Sequence, residues 1–275
     1  YQQAVDIYKS LAPLTMDKAE QKSIINIIYR NMAVTAQNAG RFEDALTYYD
    51  KLLVDDPGNE ELLNIKYTIL NDNIKDEARA FQVLKDYADA SADYKAYLIL
   101  GTRYREKGNN TQASVNFERA LELQKTPDVY SRVADYYRSI NNWSRSNQLL
   151  EQLIATNPDD ATKASAYRIL GDNYRQLKNN AKMAEAWEKS VAIERNAEIA
   201  LLLANHFYQA KNYNKTITYA TQVINMDSSK SAAFLLRGDS YFKLKKNTEA
   251  KADLQRIQND PVHGANAKKI LQAIK

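Results

Sequence analysis

Cysteine is absent from the 275 residues, which excludes disulfides, zinc thiolate sites and cysteine nucleophiles. The two histidines, His206 and His263, are far apart, and neither has a second histidine or a carboxylate four residues on, the spacing a helix-borne metal site needs. No glycine-rich phosphate loop occurs among the seven glycines. No run approaches 18 apolar residues, so no membrane span is expected, and the longest apolar stretch, Ile199 to Ala204, reads as a helix face. Charge of one sign is also lacking. The 38 basic and 34 acidic residues leave a net of +4 that reads as evenly spread, a pattern that argues against a nucleic-acid or anionic-membrane partner. Five prolines in such a length suit an almost all-helical chain. Together these absences leave no cofactor, metal or catalytic constellation, and the chain reads as noncatalytic.

What is present is a repeat. Tyr97, Leu100, Gly101 and Tyr104 share one helix face, and Ala113, Phe117 and Ala120 share another, with a turn signal at Lys107-Gly108-Asn109-Asn110 between them. Taking Gly101 as marker, the equivalent small residue recurs as Ala33, Ala134, Gly171, Ala204 and Gly238, in steps of 68, 33, 37, 33 and 34 residues. Tyrosine stands four before the marker at 29, 97, 130 and 167 and three after it at 104, 137, 174 and 241, so eight of nineteen tyrosines are packing residues first. A hairpin of about 34 residues cannot bury its own apolar faces and needs neighbours.

The pattern aromatic-x-x-Leu-Gly-x-x-Tyr, then Ala-x-x-x-Phe, then Pro, resembles that of the tetratricopeptide repeat (TPR) family. The segment from 94 matches in full or nearly so, and those beginning near 26, 127, 164 and 231 match well. The repeat at 197 is weaker, with Thr216 and Ala220 at positions usually held by Ala and an aromatic residue. The resemblance implies an all-α, right-handed α-solenoid of about seven TPR-like hairpins plus an N-terminal half-repeat and a C-terminal capping helix. As one solenoid the chain divides into a partial repeat and connection over 1–23, repeats over 26–59, 60–93, 94–126, 127–160, 164–196, 197–230 and 231–262, and a cap over 263–275. The 60–93 repeat is degenerate, since Tyr67 falls at the small-residue position, and a local distortion is expected there. The step of 37 places about three extra residues on a loop near Asp160 to Lys163. Ala4, Tyr8 and Leu11 read as the second helix of a repeat whose first helix is missing, followed by a long connection from Pro13 to Lys22.

In TPR-like arrays the first helix of each hairpin lines the concave face. By resemblance, the residues one and four after each marker point into it. These positions hold Thr102/Arg105, Asp135/Arg138, Asp172/Arg175, Asn205/Tyr208 and Asp239/Phe242, with Arg168 on the same face. One reading is a groove that clamps an extended peptide or protein segment, with arginine forks on its carboxylates or carbonyls and an apolar shelf of Leu201, Tyr208, Leu235 and Phe242. The other is that Asp135 and Asp172 pair with Arg138 and Arg175 as solvated surface charge, leaving Arg105 freest. Arg30, Asn64 and Leu98 before the markers, with Val34, Thr68 and Thr102 after them, do not reproduce the Lys and Asn pattern of chaperone-binding members.

The expected function is a protein- or peptide-binding scaffold. Its Asn- and Tyr-rich, cysteine-free style favours a bacterial cell envelope, on the periplasmic side rather than the cytoplasm, in assembly or secretion, with any leader lying before Tyr1. A second reading is the regulatory or sensor arm of a larger enzyme or transcription regulator. A third is self-association through the N-terminal end. Three acceptor patterns for N-glycosylation, at Asn109, Asn142 and Asn214, fall in expected hairpin turns.

Overall fold

The computed structural model describes residues 17–274 together with residues 3 and 6. The half-repeat read at Ala4, Tyr8 and Leu11, and Pro13 with it, lie outside the described residues. Those described form fifteen α-helices and no strand. They are α1 (Lys18–Asn38), α2 (Phe42–Leu53), α3 (Glu60–Thr68), α4 (Glu77–Ser91), α5 (Tyr94–Glu106), α6 (Asn110–Leu123), α7 (Pro127–Ser139), α8 (Trp143–Ala155), α9 (Asp160–Gln176), α10 (Asn180–Ile193), α11 (Ala197–Gln209), α12 (Tyr213–Met226), α13 (Ser231–Lys243), α14 (Asn247–Ile257) and α15 (Gly264–Ala273). The fold is an α-solenoid of helical hairpins. The helices form two compact units, residues 1–125 and 126–275. In each unit the two helices of a hairpin pack together, the second packs on the first helix of the next hairpin, and some successive first helices touch, as α3 does α5, α7 does α9, and α11 does α13.

The close approach inside a hairpin depends on the marker residue and the residue 16 positions later. A Cβ on Gly101 would lie 2.9 Å from the Phe117 ring, and one on Gly238 would lie 2.8 Å from Cγ of Leu254. In the 197 repeat the marker is alanine and its partner is small as well, and Ala204 and Ala220 are both fully buried in one cluster. The apparent weakness of the 197 repeat is thus complementary sizing.

Four turns between hairpin helices share one pattern, in which a residue in the left-handed region is followed by an asparagine that caps the second helix, whereas Gly40, Lys75 and Lys245 are followed by Arg41, Asp76 and Lys246. Gly108 has φ 74°, Asn141 61°, Lys178 55° and Lys211 58°. The next residues, Asn109, Asn142, Asn179 and Asn212, each accept on Oδ1 the backbone N–H three positions on, at 3.1 to 3.2 Å. Such a bond satisfies one of the donors a helix start leaves open, and it accounts for part of the asparagine richness. Two glycosylation patterns therefore fall on capping asparagines, whereas Asn214 sits inside α12 and not in a turn.

Three expectations are corrected or sharpened. The connection drawn to Lys22 ends earlier, because α1 begins at Lys18 with Asp17 accepting the Glu20 N–H at 2.8 Å. The extra residues at 160–163 are no loop. They form the first turn of the 17-residue α9, capped by Asp159. The distortion expected near Tyr67 is a π-helical segment, Ile69–Ile74, that continues α3 and ends on Lys75 at φ 65°. Tyr67, too large for the close approach, is buried edge-on against Phe81 at 5.4 Å, and the wider turn follows directly.

Candidate functional site

A concentration of apolar and hydrogen-bonding groups on the first helices lies near the C-terminal end, between α11, α13 and α15. There a cleft of about 440 Å³ opens. Leu235, Leu236 and Phe242 of α13 and Ile270 and Ala273 of α15 supply its apolar wall, while Tyr208 of α11, Asp239 of α13 and Asn266 of α15 supply polar groups. Lys243 and Lys269 stand exposed at its border.

Local sequence explains the placement. Leu235, Asp239 and Phe242 recur at spacings of four and three, so they share one side of α13, while Phe234 and Gly238 on the adjoining side are buried. Helix α15 packs on both α13 and α14. Its Ala267 and Ile274 are buried beside Phe234 and Leu254, with Ile270 and Leu271 half-buried. Ala233 and Ala267, both fully buried, are 34 residues apart, so α15 occupies the position of the next first helix. It is a wall of the cleft as well as a cap, and Lys269 and Ile270 were missed for that reason.

Tyr208 is fixed across the face. Its hydroxyl donates to Oδ2 of Asp239, and burial, then the Asp239 carboxylate, push the phenol pKa well above its ordinary value. Asp239 also lies 4.0 Å from Nζ of Lys243. Asn205 is exposed, and its amide donates to the Leu201 carbonyl of its own helix at 3.0 Å.

The arginines behave differently from one another. Arg138 donates from Nε to Oδ1 of Asn173 at 3.2 Å, and its Nη1 lies 3.6 Å from Asp135. Asn173 is itself fully buried and donates to Ser146 Oγ at 3.0 Å and Asn147 Oδ1 at 2.9 Å. The Arg138 guanidinium is thus the outer end of a polar network that joins α7, α8 and α9. Arg175 lies 3.8 Å from Asp172 and 5.6 Å from the Trp187 ring. Arg168 is exposed and Arg105 half-exposed, and neither has an ion pair or side-chain hydrogen bond among the described residues. Arg105 belongs to the first unit and the other three to the second.

A second recess, of about 310 Å³, lies between α8, α9 and α10. Its groups satisfy one another: Tyr174 donates to Glu151 at 3.1 Å, and Lys189 donates to Glu185 at 2.6 Å. Burial, then the Glu151 charge, push Tyr174 up to about 12.

Tetratricopeptide repeat family models match residues 94–127 and 232–261. The chain carries tetratricopeptide repeats. A TPR repeat-containing protein of Methanocaldococcus jannaschii is 30% identical over 112 residues, which are 39% of this chain and 33% of that protein. The chain thus spans about a third of the length of that relative. The C-terminal part of a TPR repeat-containing protein from Cytophaga hutchinsonii matches with a TM-score of 0.56 at 16% identity, over 90% of this chain and 99% of that one. YrrB, described as a TPR protein with an unusual peptide-binding site, matches with a TM-score of 0.50 at 15% identity, over 68% of this chain and 97% of its own. At these identities the two structures show the TPR fold. No described helix is long and apolar enough to cross a membrane.

Proposed function

We propose that this TPR protein is a noncatalytic scaffold that holds an extended segment of a partner protein on its first helices, with the cleft between α11, α13 and α15 as anchor point. The observation that carries this reading is the cleft itself: a recess of about 440 Å³ in which Leu235, Phe242 and Ile270 are accessible side by side. Anchoring energy in protein recognition concentrates in a few buried apolar contacts surrounded by a polar border, and the cleft has that composition. Tyr208, held by Asp239, presents its ring with little freedom to lose on binding. Arg168 is available to add a carboxylate or carbonyl contact, whereas Arg138 is largely committed to Asn173 and Asp135.

Photo-crosslinking in cells of the source organism tests the reading. Benzoylphenylalanine at Phe242 is expected to give a discrete protein adduct, while the same group at the exposed Glu249 of α14 gives none. Equal adducts at both positions, or none at 242, would overturn it. The Asn- and Tyr-rich, cysteine-free composition supports a place on the periplasmic side of a bacterial envelope, in assembly or secretion. Cell fractionation with an antibody to the chain tests that location, and recovery with the cytoplasm would contradict it.

A further inference from the structure

The net charge of the chain is not even, contrary to its first reading. Residues 243–275 hold eight basic and three acidic side chains, an excess larger than the +4 of the whole chain. The acids there do little to offset it at the cleft. Asp253 is buried in a two-pronged pair with Arg237, Nε to Oδ2 and Nη2 to Oδ1 both at 2.7 Å. Asp260 accepts the backbone N–H groups of Val262 and His263 at 3.0 and 2.7 Å, and Glu249 is on the second helix α14 together with Lys251 and Arg256, which leaves Lys243, Lys268 and Lys269 as the bases of α13 and α15 in this stretch. The acid in the cleft, Asp239, accepts from Tyr208 and, 4.0 Å from Nζ of Lys243, offsets part of that lysine's charge. Lys269, on the cleft border, has no ion pair among the described residues. Lys245 and Lys246 extend the same sign into the α13–α14 turn.

Like charges beside a low-dielectric recess raise the local potential and select partners of opposite sign. We propose that the cleft takes an acidic segment of a partner protein, with one aliphatic or aromatic side chain inserted between Phe242 and Ile270 and flanking Asp or Glu side chains meeting Lys243 and Lys269. This rests on the scaffold reading above and gives the partner its chemistry. An anionic membrane would also meet the lysines, but a lipid surface does not fill a recess between three helices, so the apolar wall favours a peptide.

The test is a selection of random dodecapeptides by messenger-RNA display on the intact chain, at an ionic strength of about 0.15 M, where exposed charges are already screened. The enriched peptides are expected to carry Leu, Ile or Phe flanked by acidic residues. The double variant Lys243→Glu, Lys269→Glu, at exposed positions and with helicity checked, is expected to weaken them by about tenfold or more, and Phe242→Ala to weaken them independently. Peptides that need Phe242 but show no acidic bias, or that the double variant binds as well, would overturn this inference and leave the scaffold reading standing. No peptide weakened by Phe242→Ala would overturn both. Co-sedimentation with phosphatidylglycerol–phosphatidylcholine vesicles in the absence of any enriched peptide would assign the lysines to a membrane and overturn it as well.

Discussion

Gly171 lies so close to Trp187 that a Cβ there would sit 2.2 Å from ring carbon Cδ1 and 2.3 Å from Nε1. The indole is 2% exposed and fills the space that the missing side chain leaves between α9 and α10. Gly171→Ala is therefore expected to cost about 1–3 kcal/mol through overpacking. In Gly171→Ala, Trp187→Leu the added methyl enters space vacated by the ring, so the double variant loses less than the sum of the single losses, with a coupling of about 0.5–3 kcal/mol. Urea unfolding of the four proteins measures it. Strict additivity would contradict the proposed contact.

Arg237 and Asp253 form a buried pair, with the carboxylate 5% exposed as a residue and Arg237 also donating to Thr221 at 3.1 Å. Removing the cation alone strands a buried carboxylate. Arg237→Met is thus expected to destabilise by about 3–5 kcal/mol, and Arg237→Met, Asp253→Leu to recover most of it. Thermal unfolding of the two variants decides, and equal losses in both would count against the pair.

Three tyrosines give the alkaline limb of stability a sign. Burial first, then the carboxylates of Asp239, Glu151 and Glu188, raise the pKa values of Tyr208, Tyr174 and Tyr219 respectively. An unfolded chain ionises its tyrosines near about 10. Above that pH the native state keeps protons that the unfolded state has lost, so stability falls as pH rises from there through the native values. Tyr208→Phe removes one such group and is expected to flatten the fall by about one proton. Unfolding midpoints between about pH 9 and 11 measure the slope, and an unchanged slope would contradict the raised value.

Lys211 holds φ 58° in the α11–α12 turn, a conformation with a steric cost for any side chain. Lys211→Gly is expected to stabilise the chain by about 0.5–1 kcal/mol, since removing Cβ relieves that cost and exceeds the added backbone entropy. The substitution leaves the neighbouring cap intact, because Asn212 supplies it by accepting the Lys215 N–H at 3.2 Å. A lowered melting temperature would contradict the assignment.

The hairpins were legible because the small marker and the aromatic residues four before and three after it recur at a nearly constant spacing, and Tyr67 flagged its own distortion. The π-helical form of that distortion was not legible, since it depends on hydrogen-bond register. Nor was the Asn173 network, whose members come from three helices and meet only after packing. One signal was present and went unread. Cations lie over rings 22 residues before them, as Lys51 over Tyr29 at 4.9 Å, Lys189 over Tyr167 at 5.6 Å and Arg256 over Phe234 at 4.7 Å. Others lie over rings eight before them, as Lys182 over Tyr174 at 5.3 Å and Lys215 over Phe207 at 4.5 Å. Such contacts contribute about 0.5–1 kcal/mol each when exposed, and they show that part of the basic composition serves packing. The role of α15 was hidden for another reason: its lysines and isoleucines suit a cap and a cleft wall equally well.

The most direct measurement is methyl NMR of the intact protein, labelled at Leu and Ile and titrated with the tightest peptide from the display selection. The account predicts shifts concentrated at Leu235, Leu236 and Ile270, with Ile154 and Leu170 of the other recess unmoved. Shifts at Ile154 and Leu170 with the cleft methyls unmoved would contradict it.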